Sequence, residues 1–155
     1  MQIERATPAD ASVIAPLFAA YRKFYERPAD PQAERGYLSA RLDRTESVIF
    51  VAFAGERAAG FAQLFPLFSS LRLAPVWLLS DLFVAPQARG SGIATALLER
   101  CRAFAAETGA CGIELSTAVT NATAQRVYER AGYRREDGFY TYFRDLEEDR
   151  GRSTL

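Results

Sequence analysis

The chain has 155 residues, 49% of them hydrophobic, and its nineteen basic and nineteen acidic side chains cancel. That length suits one domain, residues 1–155, with one sizeable core, and the charge balance argues against nucleic-acid binding or a basic membrane-binding surface, which need a surplus of Lys and Arg. Histidine is absent, which removes the commonest general base and metal ligand, excludes Ser-His and Cys-His nucleophile pairs, and leaves no metal site at recognisable ligand spacing.

"MQIERATPAD" lacks the charged-then-apolar layout of a secretory leader, and no apolar run approaches the ~18 residues of a membrane helix. Ile3 and Arg5 suit a short strand. Thr7-Pro8-Ala9-Asp10 reads as a helix start, with a hydroxyl cap, a proline at the first position and an acid three residues after the cap. Ile14, Leu17, Phe18, Tyr21 and Tyr25 share one helical face, and Pro16 predicts a kink or break within it. "FYERPAD" reads as a mobile connection, and Asp30-Pro31 opens a second helix carrying Leu38 and Leu42.

"SVIFVAFA" and "RAAGFAQLFPLF" form an antiparallel hairpin about Gly55-Glu56. "APVWLLSDLFVA" is the next strand. A glycine-containing loop follows, then a helix to about Thr108 with Ile93, Leu97, Cys101 and Ala105 on one face. "CGIELSTAV" reads as a strand. "NATAQRVYERAG" reads as a helix capped by Asn121 and stopped by Gly132. "GFYTYFRDL" reads as a final strand, and residues 147–155 as a frayed tail. The order β-α-α-β-β-β-α-β-α-β describes an α/β domain whose mixed sheet is antiparallel first and parallel around the central helix. Cys101 and Cys111 read as buried thiols of a reducing compartment, hence the cytoplasm.

The loop at 84–100, "VAPQARGSGIATALLER", carries the chemistry. A helix start leaves four backbone N–H groups without partners, and the peptide dipoles add positive charge there. Glycines at 90 and 92 allow an anion, above all a phosphate, to approach closely. Arg89 is the charged side chain of this stretch before Glu99. A nucleoside-triphosphate loop fails because Ile93 and Ala94 stand where Lys and Ser/Thr are needed. A dinucleotide fingerprint lacks its third glycine, since Thr95 occupies that place, although Glu114 lies at a ribose-binding distance. The remaining reading is a pyrophosphate-bearing acyl carrier such as coenzyme A.

"DLFVAPQARGSGIATALL" resembles the acyl-CoA loop of the GNAT superfamily of N-acetyltransferases, whose Gln/Arg-x-x-Gly-x-Gly/Ala pattern is filled by Gln87, Gly90 and Gly92. "NATAQRVYERAGY" resembles the family's later element through Asn121, Tyr128 and Gly132-Tyr133. The resemblance implies a single GNAT-like domain whose central sheet splays around acetyl-CoA. It implies that the backbone of Leu82, Phe83 and Val84 pairs with the pantetheine arm. It also implies that Gln87, Ala88, Arg89, Gly90, Ser91, Gly92, Ile93, Ala94 and Thr95 hold the pyrophosphate, and that Asn121 contacts the arm near the thioester. A homodimer formed along the exposed edge of the final strands is common in similar proteins.

Acetyl transfer to an amine needs a neutral amine, a polarised carbonyl and a protonated leaving thiolate. An alkylamine with a pKa near ~10.4 must lose a proton, and a backbone N–H near Val84 can polarise the carbonyl. Tyr128 fills the family's general-acid position. Asp81, in "LLSDLF", is a candidate base by its place among Leu79 and Phe83, or else a cap or ion-pair partner. The same stretch is similar to the diamine acetyltransferase branch, where an acid precedes the aspartate; here Ser80 stands in its place. Glu114 is a further candidate. In the family the acceptor enters opposite the cofactor, where Tyr21, Phe24, Tyr25, Tyr37, Tyr140 and Tyr142 offer aromatic faces for a cationic amine. Arg22, Arg35 and Arg41 offer charge for an acceptor's carboxylate. The primary reading is an acetyl-CoA-dependent N-acetyltransferase acting on a primary amine of a small polyamine- or amino-acid-like molecule. The alternative is a non-catalytic acyl-CoA-binding sensor.

Overall fold

The computed structural model describes residues 1–147. Five strands form one sheet in the order β1-β2-β3-β4-β5: β1 (Gln2–Arg5), β2 (Val48–Ala54), β3 (Arg57–Ser69), β4 (Ala74–Val84) and β5 (Ile113–Glu114). The first three pairings are antiparallel and β4 pairs with β5 in parallel. Four helices accompany it: α1 (Ala11–Phe24), α2 (Pro31–Asp43), α3 (Ile93–Glu107) and α4 (Ala122–Arg130).

Strand alternation divides the core between the two faces of the sheet. Val48, Phe50 and Ala52 of β2 join Ile93, Leu97, Cys101 and Phe104 of α3 on one side. Ile49 and Val51 join Ile14, Leu17 and Phe18 of α1 and Leu38 and Leu42 of α2 on the other. Gly60 of β3 seats α3: a Cβ there would stand 2.9 Å from the Phe83 carbonyl oxygen and 3.0 Å from Ile93 Cγ2. The missing side chain lets the first residue of α3 settle directly on the sheet.

The structure corrects several expectations. Helix α1 continues through Pro16 without a break. Pro16 and Ser12, whose carbonyl loses its helical partner, both lie on the exposed face, where that carbonyl is open to solvent and its loss is least costly. The connection after α1 is pinned rather than loose. An Arg22 guanidinium nitrogen donates to the Pro28 carbonyl oxygen at 2.9 Å and to the buried Glu34 carboxylate at 2.6 Å. Cys101 is buried, which pushes its thiol up to about 12, but Cys111 is exposed in the loop before β5. The strand expected over "GFYTYFRDL" does not form, and residues 134–147 are exposed throughout. The segment pairs with none of the five strands, and an unpaired strand is not stable alone.

Gly60→Ala is expected to cost about 1–3 kcal/mol by forcing α3 or β4 to shift, read as a Tm lowered by several degrees in thermal unfolding.

Candidate active site

Strands β4 and β5 run together for two residues, Trp77 with Ile113 and Leu78 with Glu114. Beyond Leu78, β4 continues to Val84 paired with β3 alone. Burial still alternates along 113–118, so the chain after β5 stays extended while it parts from β4. The Ala85 N–H donates to the Ala59 carbonyl oxygen of the β3 side at 2.9 Å. By alternation Phe83 also turns its backbone toward β3, while Leu82 and Val84 turn theirs toward the opening. Of the three residues expected to present a backbone edge, two face the gap. The Val84 carbonyl oxygen accepts from Arg89 Nε at 3.1 Å.

At the end of this open edge sits the glycine loop. Residues 86–88 form one tight turn, and the Ser91 hydroxyl donates to the Ala88 carbonyl oxygen at 2.5 Å. Gly90 and Gly92 have φ of 78° and 83°, in the left-handed region that disfavours a side chain. Gly92 is the residue before α3 and supplies no capping side chain. The first N–H bonded within the helix is that of Ala96, which donates to the Gly92 carbonyl oxygen at 3.0 Å. The amides of Ile93, Ala94 and Thr95 therefore carry the helix's partial positive charge uncapped. A Cβ added at Gly90 or Gly92 would meet open space. A polar arm ending in a diphosphate fits both parts, the free strand edge and the uncapped helix start. Gln87 and Arg89 are exposed beside it, and the Arg89 cation lies 6.0 Å from the Phe24 ring centre and 5.9 Å from that of Phe83.

The strand opposite this edge is irregular. Gln63 pairs with Asp81 but Leu64 pairs with Leu79, so Ser80 is an extra residue, a β-bulge. The bulge corrects the face expected for Asp81: Leu79 belongs to the α3 side and Phe83 to the α1 side, and Asp81 goes with Phe83. There the carboxylate is buried, 7% exposed. Gln63 Nε2 donates to Oδ2 at 2.5 Å and the Ser80 hydroxyl donates to Oδ1 at 3.2 Å. Ser47 Oγ in turn donates to Gln63 Oε1 at 2.8 Å, which fixes the orientation of the amide.

Tyr21 of α1 packs edge-on against Phe61 and Phe83 and against Tyr25, 5.1 Å between ring centres. Its hydroxyl reaches the Ser80 carbonyl oxygen at 3.5 Å. Burial, and then the charge of Asp81 and a hydrogen bond to it, hold the phenol far above its ordinary ionisation range. Tyr128 of α4 is half-buried against the α3-side core and meets Tyr133 edge-on at 6.0 Å. Burial first, and then Tyr25, push its phenol upward. Tyr128 also bears on Tyr21. Tyr128 stands on the α3 side of the sheet, while Tyr21 and the buried Asp81 stand on the α1 side.

Comparison with known proteins decides the family. The profile of the Acetyltransferase (GNAT) family matches residues 14–133. The chain belongs to the GNAT acetyltransferase family. It is 41% identical over 142 residues to the uncharacterized N-acetyltransferase YhfO of Bacillus subtilis (strain 168), covering 92% of this chain and 95% of that protein. A crystal structure of a probable acetyltransferase, 43% identical, superposes with a TM-score of 0.89 over 94% of this chain and 98% of the other. The aminoglycoside N(6')-acetyltransferase type 1 of Stenotrophomonas maltophilia is 29% identical over 146 residues, covering 92% of this chain and 91% of that protein. The protein is accordingly an acyl-CoA-dependent N-acetyltransferase with a GNAT fold.

Within this GNAT domain the remaining candidates separate. Asn121 caps α4 by accepting the Ala124 N–H at 3.1 Å. Glu114 is exposed on β5, away from the buried acid. Tyr140 and Tyr142 lie on the exposed segment after α4 and do not join the tyrosine cluster, because the strand expected to carry them inward is not formed. Tyr37 stacks on Phe18 and carries the Arg41 cation. Arg22 and Arg41 are ion-paired with Glu34 and Glu46, while Arg35 is exposed on α2. Gln63 and Ser47, the anchors of Asp81, were not singled out in the sequence. The signal was there: Gln63 is a polar residue inside the apolar run "GFAQLF", and a buried polar side chain implies a partner.

Gln63→Leu is expected to leave the buried Asp81 carboxylate without its best donor and to cost about 1–3 kcal/mol or more, measured by urea unfolding. Because Tyr21 is held protonated in the fold but ionises near its ordinary value, about 10, in the unfolded chain, its contribution to stability is complete below that pH and declines above it. Thermal unfolding of Tyr21→Phe should show a shallower loss of Tm from pH 10 upward than the wild type.

Proposed function

We propose that this N-acetyltransferase moves the acetyl group of acetyl-CoA directly to the primary amine of a small cationic molecule of the polyamine or amino-sugar kind. The observation that carries this reading is the open backbone edge of β4 leading to the uncapped start of α3, with the buried Asp81 and the Tyr21 ring on the α1 side of the same strand. Bound coenzyme A supplies a thioester, whose carbonyl accepts the amine and whose sulfur leaves as a thiolate. The chain's own residues do the rest. The amides of Ile93, Ala94 and Thr95, together with the flexible glycines 90 and 92 and flanking Gln87, Ala88, Arg89 and Ser91, hold the diphosphate. The backbone of Leu82 and Val84 aligns the arm and offers an N–H toward the carbonyl oxygen.

Tyr128 keeps its proton at neutral pH because burial disfavours the phenolate, so its Oη can deliver a hydrogen to the departing sulfur. Asp81, held by Gln63 and Ser80, presents a fixed acceptor beside the Tyr21 hydroxyl. A proton lost from the amine passes to this pair, directly or through water. The aromatic faces of Tyr21, Tyr25 and Phe24 favour a cation. Amino-acid-like acceptors fit less well, because Arg22 and Arg41 already hold Glu34 and Glu46 and have little to offer a carboxylate. The 29% identity to an aminoglycoside acetyltransferase supports a polycationic acceptor. Cys101 and Cys111, both unpaired, suit the reducing cytoplasm.

Tyr128→Phe should lower kcat by about 10²–10⁴-fold while the Kd for coenzyme A, from titration calorimetry, stays within about threefold; an unchanged kcat would remove Tyr128 from the mechanism. Gly92→Ala, which strains a left-handed φ and puts a methyl into the cradle, should weaken coenzyme A binding about tenfold, ~1.4 kcal/mol, in the same titration. Thiol release from acetyl-CoA over an amine panel should favour polyamines and aminoglycosides over free amino acids. The opposite order would place the acceptor in the carboxylate-bearing class.

A further inference from the structure

Asp81 lies too deep to meet an amine by itself. It is 7% exposed, and Gln63 and Ser47 behind it are 0% and 5% exposed. Its carboxylate needs a go-between at the surface, and one is bonded to it. Ser80 is the extra residue of the β4 bulge and is exposed, and its hydroxyl donates to Asp81 Oδ1 at 3.2 Å. It stands two residues beyond Leu78, the last residue of β4 paired with β5, where the free edge begins. Bulges beside active sites re-aim side chains in this way.

The hydrogen bonds around the pair set a direction for a proton. The Ser47 hydroxyl donates to Gln63 Oε1, which turns the amide so that Nε2 donates to Asp81 Oδ2. Oδ2 is thus met by a donor, and Oδ1 is the oxygen joined to the exposed hydroxyl. Because the hydroxyl hydrogen is committed to Oδ1, the lone pairs of Ser80 Oγ are left to accept from a group outside. None of the ion pairs among the described residues includes Asp81. The titratable group of α1 beside the pair is Tyr21, which keeps its proton and reaches the Ser80 carbonyl oxygen at 3.5 Å. Arg89, after β4, is tied to the Val84 carbonyl oxygen, and Glu114 of β5 is exposed opposite Leu78.

We infer that Ser80 is a further catalytic residue, the relay through which the amine's proton reaches Asp81. The inference rests on the reading of Asp81 as the acceptor of that proton. An N–H bond of the ammonium breaks and its hydrogen joins Ser80 Oγ. The hydrogen already on Oγ passes to Asp81 Oδ1. Ser80 ends neutral, Asp81 ends as the acid, and the nitrogen lone pair is free to attack the thioester. The 3.2 Å separation lies within the ~2.6–3.2 Å reach that such transfers need. After turnover the proton returns to water by the same path.

Steady-state kinetics of acetyl transfer to spermidine, or to the fastest primary amine of the panel above, tests the relay. An alkylammonium with a pKa near ~10.4 is almost wholly protonated at neutral pH. Without a relay, only the fraction already neutral reacts. Ser80→Ala is therefore expected to lower kcat about 10²-fold at pH 7 and to regain about tenfold per pH unit up to pH 9, where the wild type stays flat. Its Tm and its Kd for coenzyme A should match the wild type, since the side chain is exposed. Ser80→Thr, which keeps the hydroxyl, should restore most of the turnover and the flat profile. In an Asp81→Asn background, Ser80→Ala should cost less than about threefold more, because the two act as one unit. A Ser80→Ala kcat within about threefold of the wild type at pH 7, or a Thr variant as slow as the Ala variant, would overturn the relay. The reading of Asp81 is judged separately. Asp81→Asn with a wild-type kcat would remove that reading, whereas a slow Asp81→Asn beside a fast Ser80→Ala would remove the relay alone.

Discussion

The molecule is organised around the parting of two strands. β4 and β5 pair only at Trp77–Ile113 and Leu78–Glu114, and then β4 runs on with one side of its backbone open. Peptide groups turned away from a neighbour must find partners elsewhere. The opening therefore leaves backbone donors and acceptors of β4 without a strand partner.

Two local irregularities adapt the opening to chemistry. The extra residue Ser80 shifts the alternation of β4 by one, turning Asp81 into the α1 side instead of the face shared by Leu79. A buried carboxylate is costly unless its lone pairs are met. Gln63 and Ser80 meet them, and Ser47 completes the chain of donors. At the other end, Gly60 of β3 leaves room for the Ile93 side chain against the sheet, which sets the uncapped start of α3 beside the free edge.

On the α1–α2 side of the sheet the charges are already engaged. Arg22 ties the α1–α2 connection to the buried Glu34 and to the Pro28 carbonyl, fixing Tyr25 and Phe24 at the rim. Arg41 pairs with Glu46 over Tyr37. Tyr21, Tyr25 and Phe24 form an edge-on aromatic cluster on this side of the sheet.

Local order was legible because it rests on near neighbours in the chain. Pro31 after its Asp30 cap, the Gly55-Glu56 turn, the buried stripe Ile93-Leu97-Cys101-Ala105 and the paired glycines before α3 are all read within a few residues. The glycine loop and the Asn121–Tyr133 element carried the family as well. The β-bulge at Ser80 was not legible, since it exists only as a mismatch between β3 and β4, and the face of Asp81 was misread for that reason. The partners of Arg22 and Asp81 were hidden likewise, because each lies on a different element. The strand expected over 138–146 did not form, because a strand needs a paired neighbour that its own residues do not specify. The sequence by itself determined the elements up to α4, the glycine loop before α3 and the family. Only the tertiary structure decided which side chains meet at the opening, because register, bulges and strand separation are properties of pairs of segments and of neither segment alone.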